Sequence, residues 1–180
     1  MTKVVDLQTY RDHVFKQKSF GPWQKRFGES YNIATRLSDL SDHTLYFLAQ
    51  PGDNSSVAFY ELIMGILDLG PATAFNTLPN QDQMRVVDVH LFLADQVRFE
   101  IMRRLKWLVN LPGEKHGLVE MVQNFDQYKA TYRDNPPDLT ATHPDYTAYE
   151  HLSRGDKEVF IRRLLRDALD TFNARLGPQT

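Results

Sequence analysis

Four carboxylates recur at one interval on two neighbouring apolar stretches. Glu61 and Asp68 are the only charges in "VAFYELIMGILDLG", and Asp88 and Asp95 stand seven residues apart in "VVDVHLFLADQVRFEIMRRLKWL". Seven residues make about two helical turns, so each pair shares a helix face. Were the two helices antiparallel across residues 70–80, the four side chains would converge, and carboxylates from facing helices are how bundle metal sites are built. Glu61, Asp68, Asp88 and Asp95 are therefore the metal candidates, and a metal-dependent helical enzyme is the catalytic alternative. The pattern has a counterweight. Di-metal bundles add Glu-x-x-His pairs, and no glutamate here has a histidine three residues on. At ~100° per residue, His90 points about 160° away from Asp88. Arg85, Arg98 and Arg103 are close enough in sequence to neutralise the acids. The reading adopted is a salt-bridge seam in a mostly buried helix, with no resident metal or cofactor. His90, alone on an apolar face, is expected to be a hydrogen-bonded core histidine whose titration range keeps a pH-dependent role open.

"THPDYTAYEHL" gathers His143, Asp145, Glu150 and His151, types that bind zinc or act as acid and base. Their spacing matches no ligand set, and Pro144 with Asp145 reads as helix initiation. There is no G-x-S-x-G turn and no phosphate-cradling glycine pattern. The absence of cysteine excludes disulfides, thiolate metal sites and cysteine nucleophiles. No catalytic residue is assigned, and enzymatic activity is not the favoured reading.

A third feature is basic and aromatic. "YRDHVFKQKSFGPWQKRF", residues 10–27, interleaves Tyr10, Phe15, Phe20, Trp23 and Phe27 with lysine and arginine. Residues 1–28 hold Lys3, Arg11, Lys16, Lys18, Lys25 and Arg26 against only Asp6 and Asp12, while the chain as a whole carries −2. The expected organisation is an N-terminal arm over residues 1–28, followed by a helical domain over 29–180. Phe20, Trp23, Lys25, Arg26 and Phe27 are the candidates for partner binding. Such a pattern suits single-stranded nucleic acid, an acidic protein, an anionic membrane face or a second subunit. The favoured expectation is that the aromatics fold back onto the body while the lysine stems lie along apolar surface.

The elements that must position these residues are helical. "SDHTLYFLAQPG" has Ser41 as N-cap and Pro51-Gly52 as stop. "SSVAFYELIMGILDLGP" runs from Ser55 or Ser56 to Gly70, a glycine suited to a left-handed turn. A long central helix near residues 81–109 starts at Asn80, which with Gln83 imitates a capping box, and ends at Pro112-Gly113. It is apolar nearly all round, which predicts a central position. "GLVEMVQNFDQYKATY" reads as one helix, and "GDKEVFIRRLLRDALDTFNARLGP" as another with Asp156 at its cap. No segment insists on a strand, although "KVVDL" is the nearest to one. Residues 133–147, with Pro136, Pro137 and Pro144, form the one long loop, of a length often functional or mobile.

The fold class is therefore all-α, a single-domain bundle of five to seven helices. A composition of 42% hydrophobic and 24% charged residues is that of a globular protein, and no run approaches a membrane span. Without a secretory leader the expected location is the cytoplasm. The expected function is non-catalytic binding of another macromolecule together with self-association. A protein partner is favoured over nucleic acid.

Overall fold

The computed structural model describes residues 6–111 and 115–178. Among them the α-helices are, in chain order, α1 (Leu7–Phe27), α2 (Asp42–Ala49), α3 (Asp53–Ile66), α4 (Asn80–Arg104), α5 (Leu118–Gln123), α6 (Phe125–Asp134), α7 (Tyr146–Glu150) and α8 (Arg154–Leu176). Six of these have eight residues or more, and α5 and α7 are little more than single turns. Two short strands, β1 (Leu108–Val109) and β2 (Asp138–Leu139), pair antiparallel with Leu108 opposite Leu139. The molecule is an all-α single-domain bundle. No helix among the described residues is long and apolar enough to cross a membrane.

Several ends follow local chemistry. Asp6, Ser41 and Ser153 accept backbone N–H groups from Gln8, Thr44 and Asp156, and so open α1, α2 and α8. Cap chemistry also moves other boundaries away from expectation. α3 begins at Asp53 behind Gly52, because the hydroxyls of Ser55 and Ser56 donate back to the Gly52 carbonyl instead of capping. It closes at Asp68, not Gly70. Asp68 takes φ 55°, and Leu69 N–H reaches back to the Met64 carbonyl at 2.9 Å. The same closure ends α4 at Arg104, short of residue 109. Lys106 takes φ 63°, and Trp107 N–H bonds the Met102 carbonyl at 2.9 Å. Gln83 makes no capping box, and its amide instead meets the carbonyls of Phe75, Asn76 and Leu78. Asn124 divides α5 from α6 where one helix was expected. The loop over 133–147 is tied down by β2 and by Thr140, which bonds the carbonyls of Trp107 and Lys106 at 2.8 Å each. Most of "KVVDL" and the Pro112-Gly113 stop lie outside the described residues.

Residues 7–27, expected as part of an arm, form α1, which packs along α3. Lys18 meets Gly65 and Asp68 while Trp23 and Arg26 meet Ala58 and Glu61, so the two helices run antiparallel. Phe20 and Trp23 are fully buried, and the Trp23 indole donates to the Ala58 carbonyl at 2.7 Å. The closest approach is backbone against backbone. Pro22 has no N–H to offer the Lys18 carbonyl one turn earlier, and Gly65 of α3 sits against that same carbonyl. A Cβ on Gly65 would stand 2.0 Å from the Lys18 oxygen and 3.0 Å from the Ser19 Cα. Only glycine fits there.

Two effects oppose each other in Gly65→Ala. Alanine gains about 1 kcal/mol of helix propensity, but its methyl must push α1 away from α3, and overpacking of this kind costs roughly 1–3 kcal/mol or more. With neighbours that are backbone atoms the clash wins. Urea unfolding of Gly65→Ala is expected to show a net loss of about 2 kcal/mol, and a variant as stable as the parent would contradict this packing.

Candidate functional site

The polar residues of α4 divide into three groups by the direction they face. Glu100 points inward and is 1% exposed. Arg103 holds it through two N–H···O bonds of 2.8 and 2.7 Å, and Arg104 Nε adds a third at 3.0 Å. The far end of Arg104 reaches the carbonyls of Leu37, Ser38 and Leu40 and the carboxylate of Asp42. Both arginines lie on the helix face of Glu100, at the three- and four-residue spacing that lets side chains meet.

His90 faces α3. Its ring packs 5.2 Å from Phe59 and 5.3 Å from Tyr60, and among the described residues no hydrogen bond reaches it. Burial, aided by the positive charge of Arg98, holds its pKa below the ordinary histidine value. Because His90 is turned toward α3, the opposite face with Asp88 and Asp95 is turned away from it. The four candidate carboxylates therefore do not converge. Glu61 accepts from Arg26 at 2.8 Å and Asp68 from Lys18 at 2.9 Å, both across the α1–α3 seam. Asp95 accepts from Arg162 of α8 at 2.9 Å, with Arg98 at 3.7 Å, and Asp88 is exposed. Among the described residues no group of three or more histidines and carboxylates is placed to hold a metal ion.

The remaining candidates also separate. His143 packs on Trp107 at 5.0 Å and accepts the Asp145 N–H, while Glu150 and His151 pair at the surface. Asp145 stands just before α7, which begins at Tyr146, but its side chain makes no capping bond. Of the five residues expected to meet a partner, Phe20 and Trp23 are core. Phe27 lies edge-on to Trp23 and Phe47, and Arg26 is held by Glu61. Lys25 is exposed.

One open region, of about 620 Å³, lies along α1 and α3 beside Glu61 and Asp68, and another lies between α4, α6 and α8. An outer groove of about 620 Å³ runs from Asp88, Leu91 and Asp95 across to Lys129, Arg133 and Arg162. It continues into an inner cleft of about 240 Å³ walled by Phe99, Tyr132, Pro136, Tyr149 and Ile161, with Arg154 and Lys157 also lining it. Tyr132, Pro136, Arg154 and Glu158 border both. Tyr132 stacks on Phe99 at 5.9 Å, and burial pushes its hydroxyl pKa above the usual tyrosine range. Tyr149 donates to Asp138 at 2.6 Å, and burial together with that carboxylate pushes it up to about 12. Both hydroxyls therefore stay protonated at neutral pH. The sequence marks Tyr132 only as part of an apolar helical stripe and proposes neither tyrosine for a site, although it does single out the loop whose prolines form one wall.

His90 gives the pH test. The folded state disfavours its protonation, whereas the unfolded chain takes up the proton near pH ~6.5. Its contribution to stability is therefore complete above that pH and is lost as the pH falls below it. Urea unfolding of the parent and of His90→Gln should show the parent losing more stability than the variant between about pH 8 and about pH 5. A difference that stays constant over this range contradicts the assignment.

No protein-family model, curated protein or solved structure matches the chain.

Proposed function

We propose that this chain is a non-catalytic helical protein that acts by binding another macromolecule, and that it pairs with a second copy of itself through the open face of α4. The observation that carries this reading is Met84 at 67% and Leu91 at 57% exposure, seven residues apart on one face of an otherwise well-buried helix. Apolar side chains spaced by two turns form the stripe with which helices recognise one another. Arg85 and Asp88, both exposed beside them, suit an antiparallel pairing of two α4 helices, which sets Arg85 of one copy toward Asp88 of the other.

The scale of the contact favours a reversible dimer. Burying a leucine or methionine fully is worth about 1.5–3 kcal/mol, these residues are already partly covered, and association costs at least several kcal/mol. Binding is favoured over carboxylate catalysis because Glu61, Asp68 and Asp95 are each engaged by a cation. It is favoured over nucleic-acid recognition because Phe20 and Trp23, the stacking surfaces such recognition would use, are buried.

Light-scattering mass measured over a dilution series is the test. The parent should move from one chain toward two as concentration rises, and Leu91→Asp should remain at one chain with an unchanged melting temperature. A mass independent of both concentration and residue 91 would remove this reading.

A further inference from the structure

We propose that the inner cleft between α6, β2 and α8 binds a small, flat, apolar carboxylate, with Arg154 and Lys157 taking the charge and Tyr132 donating a hydrogen bond. The walls supply the first argument. Phe99, Tyr132, Tyr149, Pro136 and Ile161 enclose about 240 Å³, just under the range of ordinary ligand pockets. That size and those flat faces suit one or two fused rings.

The charges supply the second. Arg154 and Lys157 stand three residues apart on the first turns of α8, so both reach the same cleft. Neither is in an ion pair among the described residues. The Arg154 guanidinium gives one N–H to the Arg133 carbonyl and keeps others to donate, and the Lys157 ammonium lies 4.9 Å over the Tyr149 ring. Two acids, Asp138 and Glu158, also line the cleft, and each has a partner other than Arg154 and Lys157. Asp138 accepts the Tyr149 hydroxyl, and Glu158 accepts from Arg162 at 3.4 Å. Arg154 and Lys157 thus have no carboxylate within ion-pair distance among the described residues and border a cleft with mainly apolar walls, the arrangement that an anion with an apolar body completes. The Tyr132 hydroxyl makes no hydrogen bond among the described residues; the charges acting on it are Arg162, Asp95 and Glu158, so it stands where the cleft meets the outer groove, and burial keeps it protonated as a donor.

The selectivity follows from the charges. Naphthoate, naphthylmethanol and naphthylmethylamine present the same ring system with a negative, a neutral and a positive head. Isothermal titration of the full chain is expected to show one site for naphthoate at sub-millimolar concentration, with the alcohol and the amine weaker by about tenfold or more. Lys157→Glu should weaken naphthoate by at least about tenfold at an unchanged melting temperature. Tyr132→Phe, which removes one oxygen, should weaken it several-fold. Absence of naphthoate binding at several-millimolar ligand overturns the proposal, as does equal binding of the amine or indifference to both substitutions. Leu91 does not line the inner cleft, so this result and that of the α4 pairing are independent.

Discussion

A carboxylate buried to 1% exposure needs cations fixed against it to offset the loss of water. Glu100 is that group, and much of the bundle's geometry follows from satisfying it. Arg103 and Arg104 must both lie alongside it. Arg104, once placed, offers its remaining N–H groups to the carbonyls of the turn over residues 37–40 and to Asp42 at the start of α2. From the other side, Leu118 N–H bonds the Thr35 carbonyl at 2.8 Å and Arg36 bridges to Gly117, so the start of α5 holds the same segment. The irregular chain between α1 and α2 is thus stapled twice. α2 can then pack on α3, α4 and α8 as a fixed element.

The rotation of α4 that buries Glu100 also decides what the other faces do. His90 is set against Phe59 and Tyr60 of α3, and Asp88 and Asp95, on the opposite face, are directed away from it. The same rotation leaves Met84 and Leu91 outward and opens the groove toward α6 and α8. The polar residues of the central helix therefore split by role. Glu100 holds the fold, Asp95 anchors α8 through Arg162, and Asp88 borders the open groove toward α6 and α8.

Which parts of this were legible in the sequence depends on how local the cause is. Ser41 opens α2 as its position before an apolar run implies. The ends of α3 and α4 were hidden because Asp68 and Lys106 adopt the left-handed conformation that usually announces itself as glycine. The strands escaped notice because two residues each are too few to alternate. At the candidate site, the helical wheel already placed His90 opposite Asp88. What it could not give was the face that meets α3, and convergence of the carboxylates hung on that. Ion-pair partners were equally out of local view, since Arg26, Lys18 and Arg162 come 35, 50 and 67 residues from their acids. The inner cleft draws Phe99, Tyr132 and Tyr149 from three different helices, so no single stretch of sequence displays it.

The measurement that bears most directly on this account is the unfolding free energy of Glu100→Gln, a substitution that keeps shape and removes charge. Leaving Arg103 and Arg104 against a neutral amide should cost about 3–5 kcal/mol, the scale on which buried pairs lose stability when one partner is removed. Stability within about 0.5 kcal/mol of the parent, the range of ordinary surface substitutions, would show that the fold does not rest on this interaction.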